Sequence, residues 1–258
     1  MPNAIRNFSK FRYLLYELIK KDIKLKYRSS VLGVLWTLLE PLLTMIVLTV
    51  VFSGLLGKDD DNFPVYILCG RLLYSFFSAG TKTALKSIRK NSSTIKKVYV
   101  PKYMYPLAST LSSYIIFLIS LIVLVGVALY EQVKITGAIF GAIFPLIMIF
   151  FLTLGVGLIL AVLDVFFRDL EYLWTVILML IMYTCAIFYK VESLKSVTNE
   201  WIFKINPLYS LIVNFRNSIF GRPLDMYHFW YALGFSAAVM LFGCVLFFKK
   251  QDKFILYI

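Results

Sequence analysis

The sequence predicts an all-α integral membrane protein with six transmembrane helices and an amphipathic helix ahead of them. Three observations lead there. Of its 258 residues, 60% are hydrophobic and 16% charged, with a mean hydropathy of +0.80; soluble domains hold about half apolar and about a quarter charged residues. Apolar runs near the roughly 20 residues that a helix needs to cross a bilayer recur along most of the chain. Lys and Arg flank those runs in alternate connections, which assigns the net charge of +13 to membrane surfaces and excludes a nucleic-acid stripe.

Taken in order, residues 1–30 read as an interfacial helix on the cytoplasmic side. Phe11, Leu14, Leu15, Leu18 and Leu25 fall on one face, opposite Lys10, Lys20, Lys21 and Lys24. Asp22 projects onto the apolar face, so it needs a cationic or hydrogen-bonding partner there. No signal peptide is expected, because the N-terminus stays polar and basic too long. The spans are Val34–Leu56, Phe63–Leu85, Leu107–Tyr130, Gly137–Leu163, Leu170–Tyr189 and Phe229–Phe248, all within one domain of residues 31–258.

The segment Lys86–Lys102 sets the orientation. It carries Lys86, Arg89, Lys90, Lys96, Lys97 and Lys102 without an acid, and cations beside a span stay cytoplasmic. Both termini are therefore cytoplasmic. A short helix after the second span, ending near Pro101, is expected inside this loop. Between the last two spans, residues 190–228 lie outside. There Asn206 can cap a helix that Pro207 starts and Gly221 with Pro223 stops. Trp201–Ile205 reads as the descending half of a re-entrant hairpin.

Chemistry is sparse. Cys69, Cys185 and Cys244 lie far apart in apolar segments and form no metal-ligand spacing. The single histidine, His228, sits at the edge of a span. Asp164 and Asp169 flank Arg168 in a tight turn, which reads as a structural turn held by salt bridges. Gly80-Thr81-Lys82-Thr83 lacks the order of a phosphate loop, so if a nucleotide powers transport here, its hydrolysis belongs on a separate chain. Neither cofactor nor metal is expected here.

Charges inside spans are expensive and mark function. Arg71 is the clearest, and Glu40 before Pro41 is another. Aromatics make up 17% of the chain, and Tyr74, Phe77, Tyr183, Tyr189, Tyr209 and Phe215 are candidates for a path along which sugar faces slide. Gly137 and Gly141 have the spacing that permits close helix packing.

Three stretches together carry a resemblance. Asp22-Ile23-Lys24-Leu25-Lys26-Tyr27-Arg28-Ser29-Ser30-Val31-Leu32-Gly33-Val34-Leu35-Trp36, followed by Leu39-Glu40-Pro41-Leu42, resembles the entry signature of polysaccharide-export ABC transporter permeases, the type-2 exporters of O-antigen, capsule and teichoic acid. Val165-Phe166-Phe167-Arg168-Asp169-Leu170 is similar to their cytoplasmic turn, and Asn206-Pro207-Leu208 with Phe215-Arg216 and Gly221 to their external motif.

The resemblance implies a homodimer with two ATPase subunits, a polyprenyl-diphosphate-linked glycan or teichoic acid as substrate, and an external gate in residues 190–228. Arg216 joins the path candidates. Asp22, Lys24, Arg28, Lys86, Arg89, Lys90, Lys96 and Lys97 would couple to the ATPase, with 86–102 as the coupling loop. Glu40 departs from the uncharged polar residue common there. A drug, peptide or lipid permease is the alternative; a membrane glycan transferase would need acidic clusters that this chain scarcely has.

Overall fold

The computed structural model describes residues 2–28, 30–56, 62–97, 100–134, 136–189 and 201–257, and every regular element among them is helical. In chain order these are α1 (Pro2–Tyr27), α2 (Trp36–Leu56), α3 (Phe63–Lys90), α4 (Ser92–Lys97), α5 (Met104–Tyr130), α6 (Ile143–Phe166), α7 (Leu170–Thr184), α8 (Trp201–Lys204), α9 (Pro207–Ile219), α10 (Met226–Lys250) and α11 (Phe254–Tyr257). Short 3-10 turns precede α2 and α6 and follow α10. The turn 57–61 and residues 190–200 of the external stretch lie outside the described residues.

Of the six expected spans, five meet the length and apolarity that a crossing requires: α2, α3, α5, α6 and α10, with their flanking 3-10 turns. The other, α7, has 15 residues and reaches only about 22 Å at 1.5 Å per residue, short of a hydrocarbon core of roughly 30 Å. The apolar run continues through residues 185–189, but the backbone leaves the helix there, and Ala186 takes a left-handed φ of 46°.

Helix α3 is the axis of the bundle, packed by α2, α5, α6, α7 and α9. Small residues allow the approach to α6: a Cβ on Gly80 would lie 2.6 Å from Thr153 Cγ2, and one on Gly157 2.8 Å from Ala84 Cβ. The tightest helix crossing is α6 on α10, where a Cβ on Gly243 would stand 2.5 Å from the Gly155 carbonyl oxygen. Gly137 and Gly141 instead lie in the 3-10 turn before α6; Gly137 faces open space and Gly141 abuts Ser218 and Leu224. Helix α7 is pinned to α3 by two buried bonds, Trp174 Nε1 donating to Thr81 Oγ1 at 3.0 Å and Tyr74 OH to the Leu178 carbonyl at 2.9 Å.

At the basic end, Leu15 of α1 buries against Ile88, Ile95, Met104, Tyr105 and Ala108, with Phe11, Leu14, Leu18 and Ile19 around it. The apolar face of α1 thus packs on α4 and α5. Asp22, on that same face, accepts from Ser109 Oγ at 3.1 Å and pairs with Lys90 at 3.5 Å, which supplies both kinds of partner that its position demands.

At the opposite end, Asn206 caps α9 by accepting from the Leu208 amide at 3.0 Å, Pro207 opens the helix, and Gly221 follows it with φ 69°. The aromatic and hydroxyl-rich junction with α10 is closed by Ser210 Oγ against His228 Nδ1 at 2.9 Å and by Asp225 capping α10 through the His228 amide. His228 is buried there.

Candidate functional site

A groove of about 660 Å³ runs between α1, α2, α3 and α5. Helix α3 builds its wall through one stripe. Arg71, Ser75, Ser78, Lys82 and Lys86 follow at intervals of four, three, four and four residues, which a helix stacks on a single face. Facing them, α5 contributes Ser109, Ser112, Ser113 and Ser120, and α2 contributes Thr37, Glu40 and Thr44. A span whose apolar average is preserved by its other faces can carry such a stripe.

The groove wall at α2 depends on a proline. Pro41 has no amide hydrogen, so the Thr37 carbonyl four residues earlier lacks its helical donor. Ser120 Oγ of α5 donates to that carbonyl at 2.9 Å and so joins α2 to α5. Thr44 Oγ1 donates to the Glu40 carbonyl at 2.7 Å. Ser112 and Ser113 donate to the Ser109 carbonyl at 2.9 and 3.0 Å, and their oxygen lone pairs remain to accept.

Charge pairing along the groove is uneven. Lys90 meets Asp22, and Lys86 Nζ lies 2.5 Å from Glu171 Oε1. Arg89, next to the stripe, reaches Asp164 at 3.4 Å and Glu171 at 3.2 Å. Arg71 lies over the Tyr74 ring at 5.9 Å. Among the described residues, no carboxylate comes within 4.0 Å of Arg71 or Lys82.

The structure thus sorts the sequence candidates. Arg71 and Tyr74 line the groove, as do Asp22, Lys86 and Lys90, three residues that the resemblance assigns to ATPase coupling. Phe77 packs in the core against Trp174. Tyr183 is exposed on α7, Tyr189 donates to its carbonyl, and Tyr209 packs between Phe203 and His228 at the α9 end. Phe215 is buried core. Lys24, Arg28, Lys96 and Lys97 are exposed near the basic end.

Arg216 is 5% exposed and held at all three of its guanidinium nitrogens. It donates to the carbonyls of Tyr66 at 3.2 Å, Ala186 at 3.0 Å and Ile187 at 3.1 Å, with its guanidinium 3.5 Å over the Tyr66 ring. The turn between α6 and α7 differs from its expected form. Arg168 and Asp169 are exposed and make no ion pair among the described residues; Asp164 points inward with no side-chain exposure, and Arg89 of α3 is its partner. Helix α6 ends at Phe166 and Phe167 is extended, with φ −130° and ψ 93°, so Arg168 leaves the helix face that carries Asp164.

Residues 13–220 match the family model of the ABC-2 type transporters. The chain belongs to that family. Every groove residue falls within the matched range, and with its apolar helices the chain is a multi-pass membrane protein. This ABC-2 chain is 29% identical over 245 residues to an O-antigen export system permease protein of Klebsiella pneumoniae, covering 93% of each. It is 26% identical over 256 residues, 98% of each, to another such permease from Myxococcus xanthus. A polysialic acid transport protein of Escherichia coli is 21% identical over 241 residues, 91% of this chain and 92% of that protein.

Lys82 and the α5 serines are the site residues that motif reading passes over. Their signal is the polar stripe at helical intervals inside apolar runs, visible once Lys82 is placed with Arg71 and Lys86.

Proposed function

We propose that this chain is the permease subunit of an ATP-driven exporter that carries a lipid-linked surface polysaccharide or teichoic acid from the cytoplasm to the outer face of the plasma or inner membrane. The observation that supports it most is the cationic groove with Arg71 and Lys82 left without carboxylates. A cation among apolar helices is unfavourable unless an anion or water compensates it. A polyprenyl diphosphate headgroup supplies that anion, and the serine and threonine hydroxyls offer hydrogen bonds to phosphate and sugar alike. Relatives whose names specify O-antigen export and polysialic acid transport favour a glycan over a drug or peptide.

In this reading α7 with residues 185–189 makes the sixth crossing, both termini are cytoplasmic, and two copies of the chain enclose the glycan path. Two separate ATPase subunits bind ATP and Mg2+. They dock on the exposed cations Lys24 of α1, Arg28 just after it, and Lys96 and Lys97 of α4, and their closure pushes on α3 and α5 through the loop 86–102. The external helix α9 acts as the gate.

The test is to purify the chain with its ATPase, reconstitute both in liposomes and follow a fluorescent lipid-linked oligosaccharide. ATP-dependent appearance of the label on the opposite leaflet is expected. An assembled, hydrolysing complex that moves no glycolipid overturns the reading, as does failure to bind any ATPase. Replacing Lys96 and Lys97 together by Glu should uncouple hydrolysis from transport while leaving the groove intact.

A further inference from the structure

We propose that Arg71 and Lys82 are two successive stations for the phosphate-bearing headgroup of the lipid carrier, and that the pairing pattern along α3 sets them apart from its other cations. This rests on the exporter reading and adds to it the positions at which the headgroup is held.

The division is visible in the contacts. Lys86, Arg89 and Lys90 each have a carboxylate at 2.5–3.5 Å, from Glu171, Asp164 or Asp22. These pairs tie α3 to α1, α6 and α7, so their charge is neutralised and their side chains are held by the bundle. Arg71 and Lys82 share the groove face with Lys86 but have no such partner among the described residues. Glu40 lines the same groove from α2 without an ion pair to either. A carboxylate on the wall that leaves both cations unpaired keeps their donors available to a ligand.

Spacing then determines how a ligand uses them. Eleven residues of helix separate Arg71 from Lys82, about 16 Å along the axis. A diphosphate held close against one side chain then lies well away from the other, so the two act in sequence. Ser75 and Ser78 lie between them on the same face, and their hydroxyls can pass hydrogen bonds to a phosphate as it moves. Lys82 lies nearer the basic end and receives first. Arg71 lies deeper, and its planar fork is matched to two phosphate oxygens.

A phosphate headgroup could also come from ordinary anionic phospholipid, and the test separates the two sources. The full complex with its ATPase is placed in nanodiscs of phosphatidylcholine, and binding of farnesyl diphosphate is measured by calorimetry. Arg71→Gln and Lys82→Gln should each weaken binding at the substituted station by about tenfold or more, the size of one lost charge-assisted hydrogen bond, while the other station still binds. Lys90→Gln should change it by less than about threefold, since Asp22 already holds that charge. Arg71→Lys and Lys82→Arg should recover most of the affinity, and the melting temperatures of all variants should stay near that of the parent.

Equal losses at Lys90 and at the two stations would overturn the proposal in favour of a diffuse cationic field. So would unchanged binding in both station variants. If phosphatidylglycerol nanodiscs abolish farnesyl diphosphate binding and the station variants lose retained phosphatidylglycerol by mass spectrometry, the occupant is bulk phospholipid and the proposal also falls. A parent complex that binds farnesyl diphosphate at both stations yet transports no glycolipid would instead contradict the exporter reading alone.

Discussion

Arg71 and Arg216 are one residue type in two opposite settings. Arg216 sits in the packed end formed by α3, α9 and residues 185–189, where three carbonyls and an aromatic face take up its donors. Arg71 lies on the groove face of the same α3, half-buried, with one ring at 5.9 Å and no carboxylate at hand. Five residues of α3, about one and a half turns, separate Arg71 from the Tyr66 to which Arg216 binds. The difference shows that engagement of all three guanidinium nitrogens, and not burial of charge by itself, distinguishes a structural arginine from one that can take a ligand. The packed end is built to hold its shape and the groove to receive.

The largest effect expected from breaking this contrast is at Arg216. Its replacement by Ala takes the guanidinium donor from three carbonyls and frees the left-handed turn at Ala186, which should lower stability by at least about 3 kcal/mol in thermal or denaturant melts. A smaller strain follows from Gly70→Ala, because the new methyl would stand 2.7 Å from Arg216 Nη2. The guanidinium must shift, at a loss of about 1–2 kcal/mol, and the same melts should show it. Should Gly70→Ala melt like the parent, Arg216 is less tightly held than its contacts indicate.

Next in size is Trp174→Phe, which removes the bond to Thr81 while that hydroxyl keeps its contact with the Phe77 carbonyl at 2.8 Å. A loss of about 1 kcal/mol is expected, enough to raise hydrogen exchange at α7 amides above that at α3. The smallest effect is at the groove mouth. Asp22→Asn keeps the bond from Ser109 but drops the ion pair with the half-exposed Lys90, and about 0.5 kcal/mol should be lost. That loss should fade as salt is added.

How much of this was legible in sequence follows the range of the interactions. The apolar runs, the cap of α9 at Asn206 and its stop at Gly221 are local signals, and the structure reproduces them. The run Leu170–Tyr189 reads as one span because all of it is apolar. What ends the helix at Thr184 includes the pull of Arg216 on the carbonyls of Ala186 and Ile187, thirty residues away, and side-chain polarity does not record a carbonyl's partner.

The same limit explains other differences. Asp164 pairs with Arg89 across 75 residues instead of with neighbouring Arg168. The close helix contact joins Gly155 to Gly243, which no short spacing can announce, while the nearby Gly137 and Gly141 pair belongs to a 3-10 turn. The groove was half legible: Arg71 stood out as a charge in a span, but the stripe needed Lys82 placed on the same face and the α5 serines opposite it.

The central claim, that the groove and not the packed end carries the substrate's charge, is tested most directly by measuring two quantities on Arg71→Gln and Arg216→Gln side by side. These are the melting temperature and the ATP-dependent glycolipid transport per folded complex. Arg71→Gln should melt with the parent and lose most transport, whereas Arg216→Gln should melt well below it. Full transport in a stably folded Arg71→Gln complex would contradict the account.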